Sequence, residues 1–180
     1  SCTNCLSGSV QSQQGKSLCD LCPAGEFIDI PEQEVCNLCA PGKFSNVTGL
    51  TGCFSCLEGA AQAAAGAESC DECLVGKFGG IVGLATCDSC LPGSYAASNG
   101  SSGCTPCAQG TAQSSNGQSS CIGCIAGQFA DGPGLAVCTD CRPGSYSNTS
   151  DTITCPACAI GKSQSGSGKT VCDWCVAGQY

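Results

Sequence analysis

The residues with the widest choice of chemistry in this sequence are its 22 cysteines. They form eleven Cys-x-x-Cys pairs, and the first cysteines of successive pairs are always 17 residues apart. Such pairs can exchange thiols and disulfides, or form structural cystines. Two pairs together can also supply the four cysteine ligands of a zinc site. The spacing predicts that residues 1–180 are a tandem array of eleven 17-residue repeats, which start at positions 2, 19, 36, 53, 70, 87, 104, 121, 138, 155 and 172.

We favour disulfides between consecutive repeats. A bond within one Cys-x-x-Cys closes a small, redox-labile ring, which suits thiol exchange better than architecture. A bond from the second cysteine of one repeat to the first of the next closes a loop of about 15 residues and contributes up to about 3 kcal/mol. The cysteines that this scheme uses are Cys5, Cys19, Cys22, Cys36, Cys39, Cys53, Cys56, Cys70, Cys73, Cys87, Cys90, Cys104, Cys107, Cys121, Cys124, Cys138, Cys141, Cys155, Cys158 and Cys172.

This scheme leaves Cys2 and Cys175 without partners. We therefore expect that the chain is a window of a longer array, or that adjacent copies join at these cysteines. In a rival scheme, two repeats exchange the bridges Cys2–Cys19 and Cys5–Cys22, which would impose a period of 34 residues that the sequence does not show. Peptide mapping that found Cys2 joined to Cys19 would favour the rival.

Metal binding and catalysis are the other chemistries to weigh. An array of structural zinc sites is an alternative, because neighbouring pairs come close to the spacing of four-cysteine ligands, but eleven pairs cannot be shared out two by two and histidine is absent. Aspartates follow the first cysteine in only four repeats, which is too irregular for a calcium array: Asp20, Asp71, Asp88 and Asp173. We expect no metal, no cofactor and no catalytic residue, since no nucleophile has a base beside it.

The elements that must position the cysteines are turns and short strands. Counted from the first cysteine of each repeat, position seven is always glycine and position fourteen is glycine in eight of ten repeats, which indicates a positive φ or a close approach of another strand. Glu32 and Asp151 are the exceptions at position fourteen, and because glutamate tolerates left-handed geometry poorly we expect an altered turn at Glu32. The pattern predicts small disulfide-rich repeats of short β and turn segments with little or no helix, stacked as an extended solenoid or superhelical rod.

Position nine carries seven of the nine aromatic residues. We expect each ring to lie over a neighbouring cystine and to form a small core of sulfur and ring. These aromatic residues are Phe27, Phe44, Phe78, Tyr95, Phe129, Tyr146 and Tyr180.

A longer period of 51 residues, three repeats, underlies the short one. Every third repeat lacks the aromatic residue and carries glutamine at position ten: Gln11, Gln62, Gln113 and Gln164. If about three repeats make one superhelical turn, these glutamines face one neighbour and are candidates for an interface. The alternative is duplication of a three-repeat block without geometric meaning.

Three Asn-x-Ser/Thr sequons fall in the class of repeats with proline at position six, at Asn46, Asn99 and Asn148. They are candidate N-glycosylation sites and predict exposed loops in a secreted protein.

Two segments resemble a known extracellular module. Cys22–Phe27, CPAGEF, and Cys141–Tyr146, CRPGSY, each followed by a further Cys-x-x-Cys, resemble the ephrin-receptor-like cysteine-rich repeat and the first module of tumour necrosis factor receptor repeats. The resemblance implies a place in large extracellular surface proteins. It also implies that the cysteine before the glycine bonds to the first cysteine of the following pair, in agreement with the scheme we favour. The unbroken period and the repeats without an aromatic residue depart from that family's pattern.

Together these features predict an extracellular or cell-surface glycoprotein that is not an enzyme. A net charge of −8 argues against nucleic acid or anionic lipid as partners, and without a run of about 18 apolar residues we expect no membrane insertion of this segment. The regularity predicts a structural component of an extracellular filament, a mastigoneme-like flagellar hair or a cell-surface coat. It would contact itself or another fibre or coat protein through the glutamine-bearing face. The alternative is a ligand-binding ectodomain or stalk of a cell-surface receptor.

Overall fold

The computed structural model describes residues 3–178, and these residues contain no helix. Their regular structure consists of two-residue strands paired in small antiparallel ladders. The fold class expected from the glycine and cysteine pattern, disulfide-rich repeats of β and turn segments, is therefore confirmed. The strands are β1 (Ser9–Val10), β2 (Asp20–Leu21), β3 (Glu26–Phe27), β4 (Asn37–Leu38), β5 (Lys43–Phe44), β6 (Phe54–Ser55), β7 (Ala60–Ala61), β8 (Asp71–Glu72), β9 (Lys77–Phe78), β10 (Asp88–Ser89), β11 (Ser94–Tyr95), β12 (Thr105–Pro106), β13 (Thr111–Ala112), β14 (Ile122–Gly123), β15 (Gln128–Phe129), β16 (Thr139–Asp140), β17 (Lys162–Ser163) and β18 (Asp173–Trp174).

Each ladder joins two consecutive repeats. Positions eight and nine of one repeat pair with positions three and two of the next, as in Ser94 with Pro106 and Tyr95 with Thr105. The same register is found in the ladders β1–β2, β3–β4, β5–β6, β7–β8, β13–β14, β15–β16 and β17–β18. A two-residue ladder is far too short to be stable in water by itself, so the bonds around it must hold it in place.

The chain divides into two compact units. The first contains the residues up to Leu74 together with Phe78–Asp88 and Asn99–Gly103. The second contains Val75–Lys77, Ser89–Ser98 and the residues from Cys104 onward. Each unit is built from the same junction between repeats.

In the first unit, four backbone hydrogen bonds define this junction. The N–H of Gly42 donates to the carbonyl of Gln62 at 2.7 Å, and the N–H of Gln62 donates to Leu84 at 3.0 Å. The N–H of Gly83 donates to Cys56 at 2.7 Å, and the N–H of Cys56 donates back to Gly42 at 2.9 Å. These bonds connect positions four, seven, ten, fourteen and fifteen of neighbouring repeats without involving side chains.

In the second unit the same four bonds recur at the same positions. Gly93 donates to Gln113 at 2.7 Å, and Gln113 donates to Leu135 at 3.2 Å. Gly134 donates to Cys107 at 2.8 Å, and Cys107 donates to Gly93 at 2.8 Å. Because the junction is made by the backbone, its geometry survives variation of most side chains.

The glycine at position seven meets both requirements that the sequence suggested. Gly59 in the first unit has φ 84° and Gly93 in the second also has φ 84°, the left-handed region that favours glycine. A Cβ on Gly59 would overlap the carbonyl oxygen of Gly100, which lies two repeats further along the chain. A Cβ on Gly93 would overlap Gly134 in the same way. Gly59 and Gly93 are therefore needed both for the φ angle and for the close approach of a second backbone, whereas at Gly144 only the φ angle applies.

Position fourteen is left-handed even where it is not glycine. Glu32 has φ 64° and Asp151 has φ 57°, so both positions keep a left-handed residue. Residues 30–32 nevertheless form a bend where residues 13–15 and 47–49 include a turn, in agreement with the altered turn expected at Glu32. Each of these side chains meets position three of the preceding repeat. The Glu32 carboxylate accepts a hydrogen bond from the Asn4 amide, and Asp151 occupies space that a Cβ on Gly123 would fill. The two exceptions are therefore matched by their neighbours.

The core is formed by cysteines and position ten, not by the aromatic rings. The second cysteine of the first nine repeats is buried, and so are the residues at position ten in most repeats, such as Ile28, Ala96 and Ala130. The aromatic residues at position nine are only half-buried, so the rings do not form the fully buried core. A contact between each ring and a cystine stays a prediction, and Tyr180 lies outside the described residues. In the repeats with an aromatic residue, the alternation of an extended chain points position ten inward and position nine away from the core. In the repeats without one, the small residues Ala61 and Ala112 at position nine are buried.

Candidate functional site

Among residues 3–178, ten disulfides join consecutive repeats, and the Cα atoms of each pair lie 5.6–5.8 Å apart. Each bond runs from the second cysteine of one repeat to the first cysteine of the next, as in the scheme favoured from the spacing. The pairs are Cys5–Cys19, Cys22–Cys36, Cys39–Cys53, Cys56–Cys70, Cys73–Cys87, Cys90–Cys104, Cys107–Cys121, Cys124–Cys138, Cys141–Cys155 and Cys158–Cys172.

The cysteines of one bond have unequal exposure. In the bond between Cys73 and Cys87, for example, Cys73 is buried and Cys87 is half-buried, and the same asymmetry holds in eight other bonds. A thiolate must reach a sulfur atom along the bond axis to exchange a disulfide, so burial of one partner restricts that attack. This arrangement suits a structural cystine. Cys175 is a free cysteine and is half-buried, whereas Cys2 lies outside the described residues.

Residues 3–178 contain no group of three or more His, Cys, Asp or Glu residues placed to hold a metal ion. The cysteines that a four-cysteine zinc site would need are bonded to each other as cystines. The aspartates at position two are exposed residues of short strands: Asp20, Asp71, Asp88 and Asp173. In the same part of the chain there is no helix long and apolar enough to cross a membrane.

The four glutamines at position ten close a loop of their own repeat. The side-chain amide of Gln113 donates to the carbonyl of Ser120 at 2.8 Å, and its oxygen accepts from the N–H of Ser115 at 3.0 Å. Equivalent pairs of bonds are made by Gln11, Gln62 and Gln164. The side-chain amide thus satisfies one backbone carbonyl and one backbone N–H within the loop. These two bonds explain, within a single repeat, why every third repeat has glutamine at position ten. A contact of these residues with a partner stays a prediction.

The three sequon asparagines, Asn46, Asn99 and Asn148, are exposed. Asn46 and Asn148 occupy position eleven, directly after a buried serine at position ten. The Oγ of that serine donates to the carbonyl two residues further on, at 3.1 Å for Ser45 and 2.9 Å for Ser147. Two sequons therefore share one loop geometry, and Asn99, at position thirteen, does not share it.

Sequence reasoning missed the importance of position ten outside the glutamine class. This position is small, apolar or glutamine in every repeat that contains it, and it never carries a charge. The sequence contains this signal at position ten, but the aromatic residues at position nine form a more conspicuous pattern.

Residues 93–136 match the family model described as "Tyrosine-protein kinase ephrin type A/B receptor-like". The ten regularly spaced disulfides fit cysteine-rich repeats of this kind, so the resemblance to ephrin-receptor-like repeats is confirmed. Among curated proteins, no significant match to the chain was found.

Proposed function

We propose that this chain, an extracellular receptor-like or structural domain with ephrin-receptor-like cysteine-rich repeats, is a structural component of a filament, flagellar hair or cell-surface coat. The observation that carries the proposal is the uniform junction. In both compact units a disulfide and four backbone hydrogen bonds recur at fixed positions together with a short ladder, which is reduced to the single bridge Ser145–Ala157 between the ninth and tenth repeats. A binding ectodomain is expected to break such a pattern in some repeats in order to build a site.

The disulfides also limit how far the chain can be stretched, which supports a mechanical role. The shortest covalent path through one repeat crosses Cys-x-x-Cys and then one cystine. It spans about 10 Å of extended chain plus the 5.6–5.8 Å between bonded Cα atoms. The same repeat without its cystine would extend to about 58 Å. The maximum extension of an oxidised array should therefore be less than a third of that of the reduced chain.

Single-molecule pulling of the full chain measures this limit directly. We expect a contour length of about 16 Å per repeat when the cystines are intact, and an increase of about 40 Å per repeat after reduction. A contour length near the reduced value in oxidised protein would contradict the mechanical argument.

We propose that the segment acts without catalysis and without a cofactor. The absence of histidine from the sequence supports this, as does the commitment of twenty cysteines to cystines. The proposed partners are a second copy or another fibre or coat protein, with N-linked glycans on the exposed sequons.

Electron microscopy of native material, labelled with an antibody against this chain, tests the structural role. Labelling at regular intervals along filaments or a coat is the expected result. Labelled single molecules at a cell surface would refute it and favour a receptor ectodomain or stalk, the second candidate, which the description of the matching family supports.

A further inference from the structure

A cavity of about 240 Å³ in the second compact unit places an aromatic ring beside a sequon. It is lined by Tyr146, Asn148, Ala159, Lys162, Val171 and Cys172. Tyr146 is half-buried and Asn148 is exposed, so both lining residues are accessible to solvent.

The local backbone explains why ring and asparagine share a face. Positions nine and eleven lie on either side of position ten, and in an extended chain residues two apart point the same way. Ser147 at position ten is 2% exposed and points inward. Its hydrogen bond to the carbonyl of Thr149 fixes the loop in this orientation.

The third repeat, in the first compact unit, has the same arrangement. Phe44, buried Ser45 and exposed Asn46 occupy positions nine, ten and eleven. The ring of Phe44 is held against the ring of Phe54 with centroids 5.7 Å apart, so it is already positioned before any glycan is added.

The sixth repeat provides a natural contrast. Its sequon asparagine, Asn99, lies two residues after Ala97 and four residues after the ring of Tyr95. Ala97 therefore occupies the place relative to Asn99 that Phe44 and Tyr146 occupy relative to Asn46 and Asn148.

We propose that the glycans on Asn46 and Asn148 pack their first sugar against Phe44 and Tyr146, and that a glycan on Asn99 makes no such contact. One face of a pyranose ring presents C–H groups with a partial positive charge, which suit the negative face of an aromatic ring. The contact covers a ring that the protein leaves half-exposed, and it orients the glycan along the surface of the array. The proposal does not depend on the filament role, because it would hold equally in a receptor ectodomain.

Attachment uses a lipid-pyrophosphate-linked oligosaccharide donor of the secretory pathway. The bond from sugar C1 to the phosphate oxygen breaks with its electron pair leaving on the pyrophosphate, the bond from C1 to the asparagine Nδ2 forms, and Nδ2 loses one proton. No group of this chain is oxidised or reduced.

The test uses the full chain secreted from a host that adds N-glycans, trimmed enzymatically to the first N-acetylglucosamine. Proton NMR resonances of the three sugars are assigned with the variants Asn46→Gln, Asn99→Gln and Asn148→Gln. Because ring currents shield protons above an aromatic face, we expect upfield shifts for the sugars on Asn46 and Asn148 relative to the sugar on Asn99.

Tyr146→Leu should abolish the shift at Asn148 and leave the shift at Asn46 intact, which also shows that the first unit remains folded. Tyr146→Phe should retain the shift, and Tyr95→Leu should leave the Asn99 sugar unchanged. Equal shifts at all three sites, an unchanged Asn148 sugar in Tyr146→Leu, or unoccupied Asn46 and Asn148 would each overturn the proposal.

Discussion

Replacing Gly59 by alanine tests whether the approach of a second backbone, and not the φ angle alone, fixes glycine at position seven. At φ 84° an alanine pays about 1–2 kcal/mol for the left-handed conformation. Its Cβ would also overlap the carbonyl oxygen of Gly100, and relief of such overpacking costs about 1–3 kcal/mol more. We therefore expect Gly59→Ala to destabilise its junction by about 2–5 kcal/mol.

The matched control is Gly144→Ala in the same 180-residue chain. Gly144 has φ 81°, but a Cβ there would meet no atom within 4 Å, so only the conformational cost applies. Both glycines donate their N–H to position ten of the next repeat, at 2.8 Å to Gly79 and 2.7 Å to Gln164. The two variants therefore differ mainly in the overlap with the second backbone.

Native-state hydrogen exchange at the substituted amides separates the two costs. The overlap cost alone should lower the protection of residue 59 about 5- to 150-fold more than that of residue 144. Equal losses in the two variants would refute the reasoning and would leave the φ angle as the whole explanation for glycine at position seven.

Two further perturbations probe the cystines and the glutamine loops. Replacing Cys73 and Cys87 together by serine should cost about 3 kcal/mol and should lower exchange protection only in the repeats that they join. A loss of protection throughout the chain would contradict this. Gln113→Leu leaves the Ser120 carbonyl without its donor, should cost about 1–3 kcal/mol, and should create a cleavage site in that loop during limited proteolysis. Gln109→Leu removes an exposed hydrogen bond to the Asp131 carbonyl of the next repeat and does not affect this loop, so it should not create that site. Equal cleavage of both variants would contradict the loop's role.

The parts of the fold that the sequence predicts are those set by local or covalent geometry. The constant separation of the cysteines indicates one uniform pairing, because a single loop length must serve every bond. The invariant glycines at position seven likewise indicate one uniform local conformation, a left-handed residue in every repeat. Such signals lie within one repeat or between two adjacent ones, and can be read without knowing how the repeats stack.

Features that depend on stacking could not be predicted. The approach of Gly100 to Gly59 spans two repeats, and nothing within one repeat encodes that distance. The match of Asp151 to Gly123 becomes visible only when position fourteen is known to face position three of the preceding repeat. The candidate site follows the same division, because the sequons are local motifs whereas the cavity beside Tyr146 joins residues from three repeats.

The junction between repeats also has a kinetic consequence. Its cystine closes after only 14 further residues have been added, and its backbone bonds connect adjacent repeats. The sequence separation of contacts therefore does not grow with the length of the array, and a low separation favours rapid folding. A nascent chain can consequently fold and oxidise one repeat after another as it emerges, so that the completed part of the array serves as the template for the next repeat.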